Sequence, residues 1–263
     1  MAVLGYLAAI LVGVSLGLIG SGGSTLTVPV LTYLFGLEAV LATTYSLFIV
    51  GATSAAGAIQ YYKQKNVDLK IVVFFGIPSI LSVALTRTYI VPSIPSEIFH
   101  ISNFMLTKNM LLMVIFAVLM LFSAISMLRK KEVKEKHPSK KLFYLKICGQ
   151  GLFVGLVTGL VGAGGGFFII PVLVNILHLK MKQAIGTSLS IITINTLIGF
   201  AFSLQQVRTE HWMLIFSIAA IAIVGILLGA FLAKKIDGKR LKPFFGWFIL
   251  VMGAYILIKE LFL

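Results

Sequence analysis

Gly20-Ser21-Gly22-Gly23-Ser24-Thr25-Leu26-Thr27-Val28-Pro29 returns, 142 residues further on, as Gly162-Ala163-Gly164-Gly165-Gly166-Phe167-Phe168-Ile169-Ile170-Pro171. Extended without a gap, the match pairs Val12 to Gly57 with Val154 to Gly199 and gives 16 identities in 46 positions. Among them are Gly13/Gly155, Gly17/Gly159, Gly22/Gly164, Gly23/Gly165, Pro29/Pro171, Ala42/Ala184, Ser46/Ser188, Leu47/Leu189 and Gly57/Gly199. Chance matching in a chain this rich in Gly and Leu gives only a handful, so the chain reads as two copies of one unit.

Around these loops the chain is 59% hydrophobic and 11% charged, with mean hydropathy +1.05. A soluble core of 263 residues cannot hide that much apolar surface, so the expected solvent is a bilayer. The net charge of +14 invites a nucleic-acid reading, but the basic residues fall in short runs between long apolar segments, which suits orientation in a membrane better. Cys148 is alone, which excludes an intrachain disulfide framework and a thiol metal cluster. The opening, Met1 to Gly20, has no basic start and no small-residue cleavage pattern, and is expected to remain as the first helix.

Five apolar segments make the first half, roughly 2–19, 25–37, 39–62, 69–91 and 105–128, and five the second, roughly 147–161, 167–179, 183–207, 211–233 and 243–258. Domain boundaries follow: a first membrane repeat at 1–128, a basic cytoplasmic linker at 129–146 and a second repeat at 147–263. Most segments reach the ~20 residues of a spanning helix, but the second of each half is much shorter. Two arrangements are open for these short pieces: they span at a thinned or tilted place, or each turns back within the membrane, which requires protein or water to cover the irregular backbone. Loops taken alternately carry 18 and 4 Lys plus Arg, so the rich set is expected on the cytoplasmic side and both termini outside. An odd number of segments per half sends the second copy in from the opposite face, an inverted repeat of the kind secondary transporters use. The linker run from Arg129 to Lys141 has no hydrophobic period and reads as a solvated loop.

The twin Gly-rich loops, each followed by a short apolar run containing Val28-Pro29 or Ile170-Pro171, precede Ala42-Thr43-Thr44-Tyr45-Ser46-Leu47 in one half and Ala184-Ile185-Gly186-Thr187-Ser188-Leu189 in the other. In these features the chain resembles the sulfite exporter TauE/SafE family of membrane transporters, over nearly its whole length. The resemblance implies a transporter in the cell membrane, with sulfur-containing anions such as sulfite or an organosulfonate as the expected cargo.

Backbone N–H groups of a Gly loop at the positive end of a helix dipole make an anion site, and inverted repeats bring two such loops toward the midplane. The candidate substrate-binding residues are therefore Ser21, Gly22, Gly23, Ser24, Thr25 and Ser46 in the first half and Gly164, Gly165, Gly166, Ser188 and Asn195 in the second. Gly166 and Phe167 stand where the first copy has Ser24 and Thr25, so the site is expected to be asymmetric. The competing reading is that these glycines only allow close helix packing, as expected for Gly13/Gly17, Gly155/Gly159 and Gly225/Gly229. Asn195 is deep in an apolar segment and needs a partner there. Acidic residues all fall in loops or at segment ends, so no intramembrane carboxylate relay is visible. Arg87 reads as snorkelling from the outer end of the fourth segment, with electrostatic attraction of anions as the alternative, and His211 as an interfacial residue rather than a ligand. No residue set suggests a catalytic centre, a metal or a cofactor. The expected protein is an all-α, ten-segment carrier of a small anion working by alternating access. An anion channel, a membrane-embedded enzyme or an assembly subunit are the alternatives. Its partners are the bilayer and the anion; a homo-oligomer is left open, and no nucleic acid is expected.

Overall fold

The computed structural model describes residues 2–20, 23–101, 104–128, 140–162, 164–175, 177, 179–233 and 238–262. Each apolar segment read from the sequence falls on a helix: α1 (Ala2–Ile19), α2 (Ser24–Leu34), α3 (Ala39–Lys63), α4 (Leu69–Ser93), α5 (Lys108–Leu128), α6 (Lys140–Val161), α7 (Gly166–Asn175), α8 (Met181–Ala201), α9 (Trp212–Ala233) and α10 (Gly238–Phe262). By length and apolarity alone, α3, α4, α5, α8 and α9 can each cross a membrane. At 1.5 Å per residue α2 and α7 reach only about 15 Å, half the hydrocarbon thickness. From Ser24 to Pro29, α2 is buried on every side, which meets the condition for a helix that stops at membrane depth.

Two details differ from the sequence reading. Helix α6 starts at Lys140, inside the stretch read as linker, because a helix continues past the apolar boundary when its outer turns carry helix-forming Lys and Leu. Between α4 and α5 lies an antiparallel hairpin, Glu97–Ile101 paired with Phe104–Thr107, an addition to the all-α membrane fold. Its strands are too short to show against the apolar background.

Proline and π-turns shape the interior. Pro29 has no N–H to give and its ring crowds the preceding turn, and α2 continues beyond it as a π-turn, Val30–Leu34. The chain then leaves through a bond from the Leu37 N–H to the Leu31 carbonyl (3.1 Å). The second half repeats this exit with Leu179 N–H to the Leu173 carbonyl (3.0 Å), the same two positions shifted by 142. A second π-turn, Thr86–Ile90, interrupts α4, whose first turn is capped by the Asp68 carboxylate accepting from the N–H groups of Lys70 and Ile71.

Helix pairing follows the small residues. In the α1/α9 pair, a Cβ on Gly13 would overlap the Ala222 carbonyl, one on Gly17 the Ile226 carbonyl and one on Gly229 the Val14 carbonyl. In the α6/α4 pair, a Cβ on Gly155 would overlap the Ser79 carbonyl, and one on Gly159 would lie 2.6 Å from Thr86 Cβ. Gly13, Gly17, Gly155, Gly159, Gly225 and Gly229 thus let backbones approach as their spacing foretold. Helix α3 crosses α8, and α5 packs along α10. When helices are matched by order in the two halves, α1/α9 and α6/α4 exchange, while α3/α8 and α5/α10 map onto themselves.

Candidate functional site

The two Gly-rich connections meet the bundle centre at equivalent places. Each of α1 and α6 ends on a glycine with positive φ, Gly20 at +78° and Gly162 at +72°, a conformation that side chains with a Cβ rarely adopt. The hydroxyl of Ser46 on α3 donates to the Gly162 carbonyl (2.9 Å), and the hydroxyl of Ser188 on α8 donates to the Gly20 carbonyl (3.1 Å). Ser188 also reaches the Ile185 carbonyl of its own helix (2.9 Å). Thus each half supplies a fully buried serine that grips the loop of the other half. Where α3 and α8 cross, the Thr193 hydroxyl donates to Ser54 Oγ (3.1 Å).

Placement of the predicted residues is mixed. Ser21 and Gly22 lie outside the described residues. Gly23 is pressed on α1, where a Cβ would overlap the Val12 carbonyl and come within 2.7 Å of Ser15 Oγ. Gly164 lies against Ile192, Thr196 and Val50, and Gly165 against Thr158 and Val154. Gly166 opens α7, and Ser24 and Thr25 are fully buried at the start of α2. Close packing therefore operates at Gly23, Gly164 and Gly165, whatever else those loops do. Asn195 finds its helix partner: its Nδ2 donates to Ser79 Oγ on α4 (2.6 Å), leaving Oδ1 buried without a hydrogen bond. Thr158 Oγ, beside Gly165, is likewise buried and unpartnered.

Arg87 corrects the sequence reading. Rather than snorkelling outward, its side chain is 1% exposed within the bundle, on the π-turn of α4. Its Nη1 donates to Thr44 Oγ on α3 (3.3 Å), and its Nε and Nη2 have no partner. The Thr44 hydroxyl lies 3.0 Å from both Gln206 Oε1 and the Val40 carbonyl. On the next residue, the Tyr45 hydroxyl is 2.8 Å from His211 Nδ1 and accepts from the Arg208 N–H (3.4 Å). The partial signal in the sequence was that Tyr89-Ile90-Val91 still follow Arg87, so the arginine is not the last residue of its apolar run.

An apolar helical bundle with enclosed half-length helices and buried polar groups at its centre has the build of a membrane transporter. The chain belongs to the sulfite exporter TauE/SafE family, whose sequence profile matches residues 5–256. It is 27% identical over 258 residues to a "Probable membrane transporter protein" of Xylella fastidiosa (strain 9a5c), covering 95% of this chain and 92% of that protein. A protein of the same description from Methanocaldococcus jannaschii is 28% identical over 270 residues, with 95% and 94% covered. One from Bacillus subtilis (strain 168) is 27% identical over 229 residues, with 86% of each covered. The protein is a membrane transporter, and the family implies transport of a small molecule rather than conversion of it.

Proposed function

We propose that the protein is a secondary carrier of a small anion, sulfite by the family's description or an organosulfonate or other sulfur-containing anion, working by alternating access in the cell membrane. The observation that carries this reading is the reciprocal grip of the two loops, Ser46 on Gly162 and Ser188 on Gly20. A two-fold exchange of this kind suits ten segments arranged as two inverted repeats, 1–128 and 147–263, joined by a cytoplasmic linker at 129–146, with both termini outside. On this reading the half-length helices α2 and α7 bring backbone N–H groups of Gly23, Ser24, Thr25, Gly164, Gly165 and Gly166, together with Ser21 and Gly22, toward the anion path. Ser46 and Ser188 act by holding the loops in place, and Asn195 offers its free Oδ1 to a protonated group of the cargo.

The test is flux of 35S-sulfite and of taurine in proteoliposomes. A carrier gives saturable uptake and counterflow, in which unlabelled anion trapped inside accelerates entry of label. A conductance that neither saturates nor shows counterflow makes the protein a channel, and recovery of a chemically altered solute makes it an enzyme.

A further inference from the structure

We propose that the free edge of Arg87 is an oxyanion-binding site, a subsite of the anion path that the Gly-rich loops alone do not provide. The proposal rests on the carrier reading for its place in transport, and on the geometry of one side chain for its chemistry. A guanidinium has two binding edges besides its tip, and Nε–H and Nη2–H share one of them as parallel donors spaced to meet two oxygens of one anion. Those are the two nitrogens left without a partner, both fully buried, while Nη1 is occupied by Thr44. The third nitrogen thus fixes the plane of the group, and the Thr44 hydroxyl is fixed in turn against Gln206 and Val40.

Charge leads to the same place. A buried guanidinium needs a counter-charge, and among the described residues no carboxylate bonds to it. Lys108, whose ammonium donates to the Val91 carbonyl at the end of the same helix, adds positive charge to this end of α4 rather than removing it. The π-turn of Thr86–Ile90 shifts the helical register at this point, a distortion that recurs at functional sites. At the 142-residue offset that relates the two loops stands Gly229, packed against Val14, which supplies no cation there. A sulfite or sulfonate group presents two oxygens to the fork at once; chloride, with a single centre, cannot engage both donors in the same way.

The experiment uses the full-length protein in nanodiscs, titrated with sodium sulfite, sodium methanesulfonate and sodium chloride at matched ionic strength, with Tm and calorimetric Kd as readouts. Wild type should show a saturating rise in Tm with the two oxyanions and none with chloride. Arg87→Met should lose that rise and, without anion, unfold at the same temperature as wild type or higher, because an unpaired buried charge has been removed. Arg87→Lys keeps the charge but not the fork, and should bind methanesulfonate at least ~10-fold more weakly. Should Arg87→Met fail to fold, the Lys variant decides. Oxyanion affinity unchanged in Arg87→Lys, or an undiminished Tm rise in Arg87→Met, overturns the proposal. Flux separates the two readings: saturable sulfite counterflow with Arg87-independent binding leaves the carrier and removes this site, while Arg87-dependent binding without flux does the reverse.

Discussion

Replacing Ser46 with Ala removes one oxygen atom from the centre of the bundle and tests how the two halves hold each other. The Ser46 hydroxyl is fully buried and its hydrogen bond runs to the Gly162 carbonyl, 116 residues away in sequence. Hydrogen bonds between membrane helices contribute about 0.6 kcal/mol on average, with a maximum near 1.7, because the unfolded chain in lipid finds other partners. Here the acceptor left behind is the carbonyl of a buried residue at a helix end, and an unsatisfied buried acceptor costs about 1–3 kcal/mol. The second effect should dominate, placing Ser46→Ala at about 1–2 kcal/mol less stable. Ser188→Ala should cost less, about 0.5–1 kcal/mol, since that hydroxyl divides its donation between Gly20 at 3.1 Å and its own helix at 2.9 Å. Steric-trap unfolding in bicelles measures both. The reasoning is refuted if Ser188→Ala is the more damaging, or if Ser46→Ala lies within a few tenths of a kcal/mol of wild type. Ser46→Thr keeps the donor and should recover at least half of the loss.

Gly162→Ala forces a Cβ onto a residue at φ +72° and into the Thr43 carbonyl, so folded yield in detergent should fall sharply, by more than the roughly 1–2 kcal/mol of the backbone conformation alone. Gly13→Leu should lower thermal stability at least as much as Gly225→Leu, because both drive a side chain into the facing backbone, at Ala222 and Ile10; size-exclusion and Tm follow it. Asn195→Leu removes the bond to Ser79, and by the range for one interhelical bond should cost about 0.5–2 kcal/mol while sparing the α1/α9 contact, which disulfide trapping across that pair reports. On a Cys148→Ser background, Glu135→Cys and Gly238→Cys should label only with a permeant reagent; labelling of position 135 from outside would remove both the orientation and the inverted repeat.

Helix positions were legible because each apolar segment has only one way to satisfy its backbone in lipid. The pairing of those helices was less so. Spacing alone marked Gly13, Gly17, Gly155, Gly159, Gly225 and Gly229 as contact residues, but said nothing of which helix each meets, such as Gly155 against Ser79 on α4. Gly23 illustrates the limit: glycine at a helix start suits an anion cradle and a tight helix contact equally, and the Val12 carbonyl that makes the contact comes from the folding of α1, not from the spacing. Arg87 was misplaced because distance from a helix end was taken as distance from water. The Leu204–Gln206 turn lies against Thr44 there, and chain folding over a helix end leaves no mark in that helix's own sequence.

The exchange of partners between halves also sets an order of events during synthesis. Helix α1 is made well before α9, yet the Ala222 and Ile226 carbonyls that receive Gly13 and Gly17 belong to α9. The groove of α4 at Ser79 and Thr86 likewise waits for α6. Until then the nascent first half holds Ser46 and Thr44 without Gly162 and Gln206. A truncated chain ending at the linker should therefore be a target for membrane quality control, and a separately expressed second half should rescue it by supplying in trans what the ribosome would have delivered last.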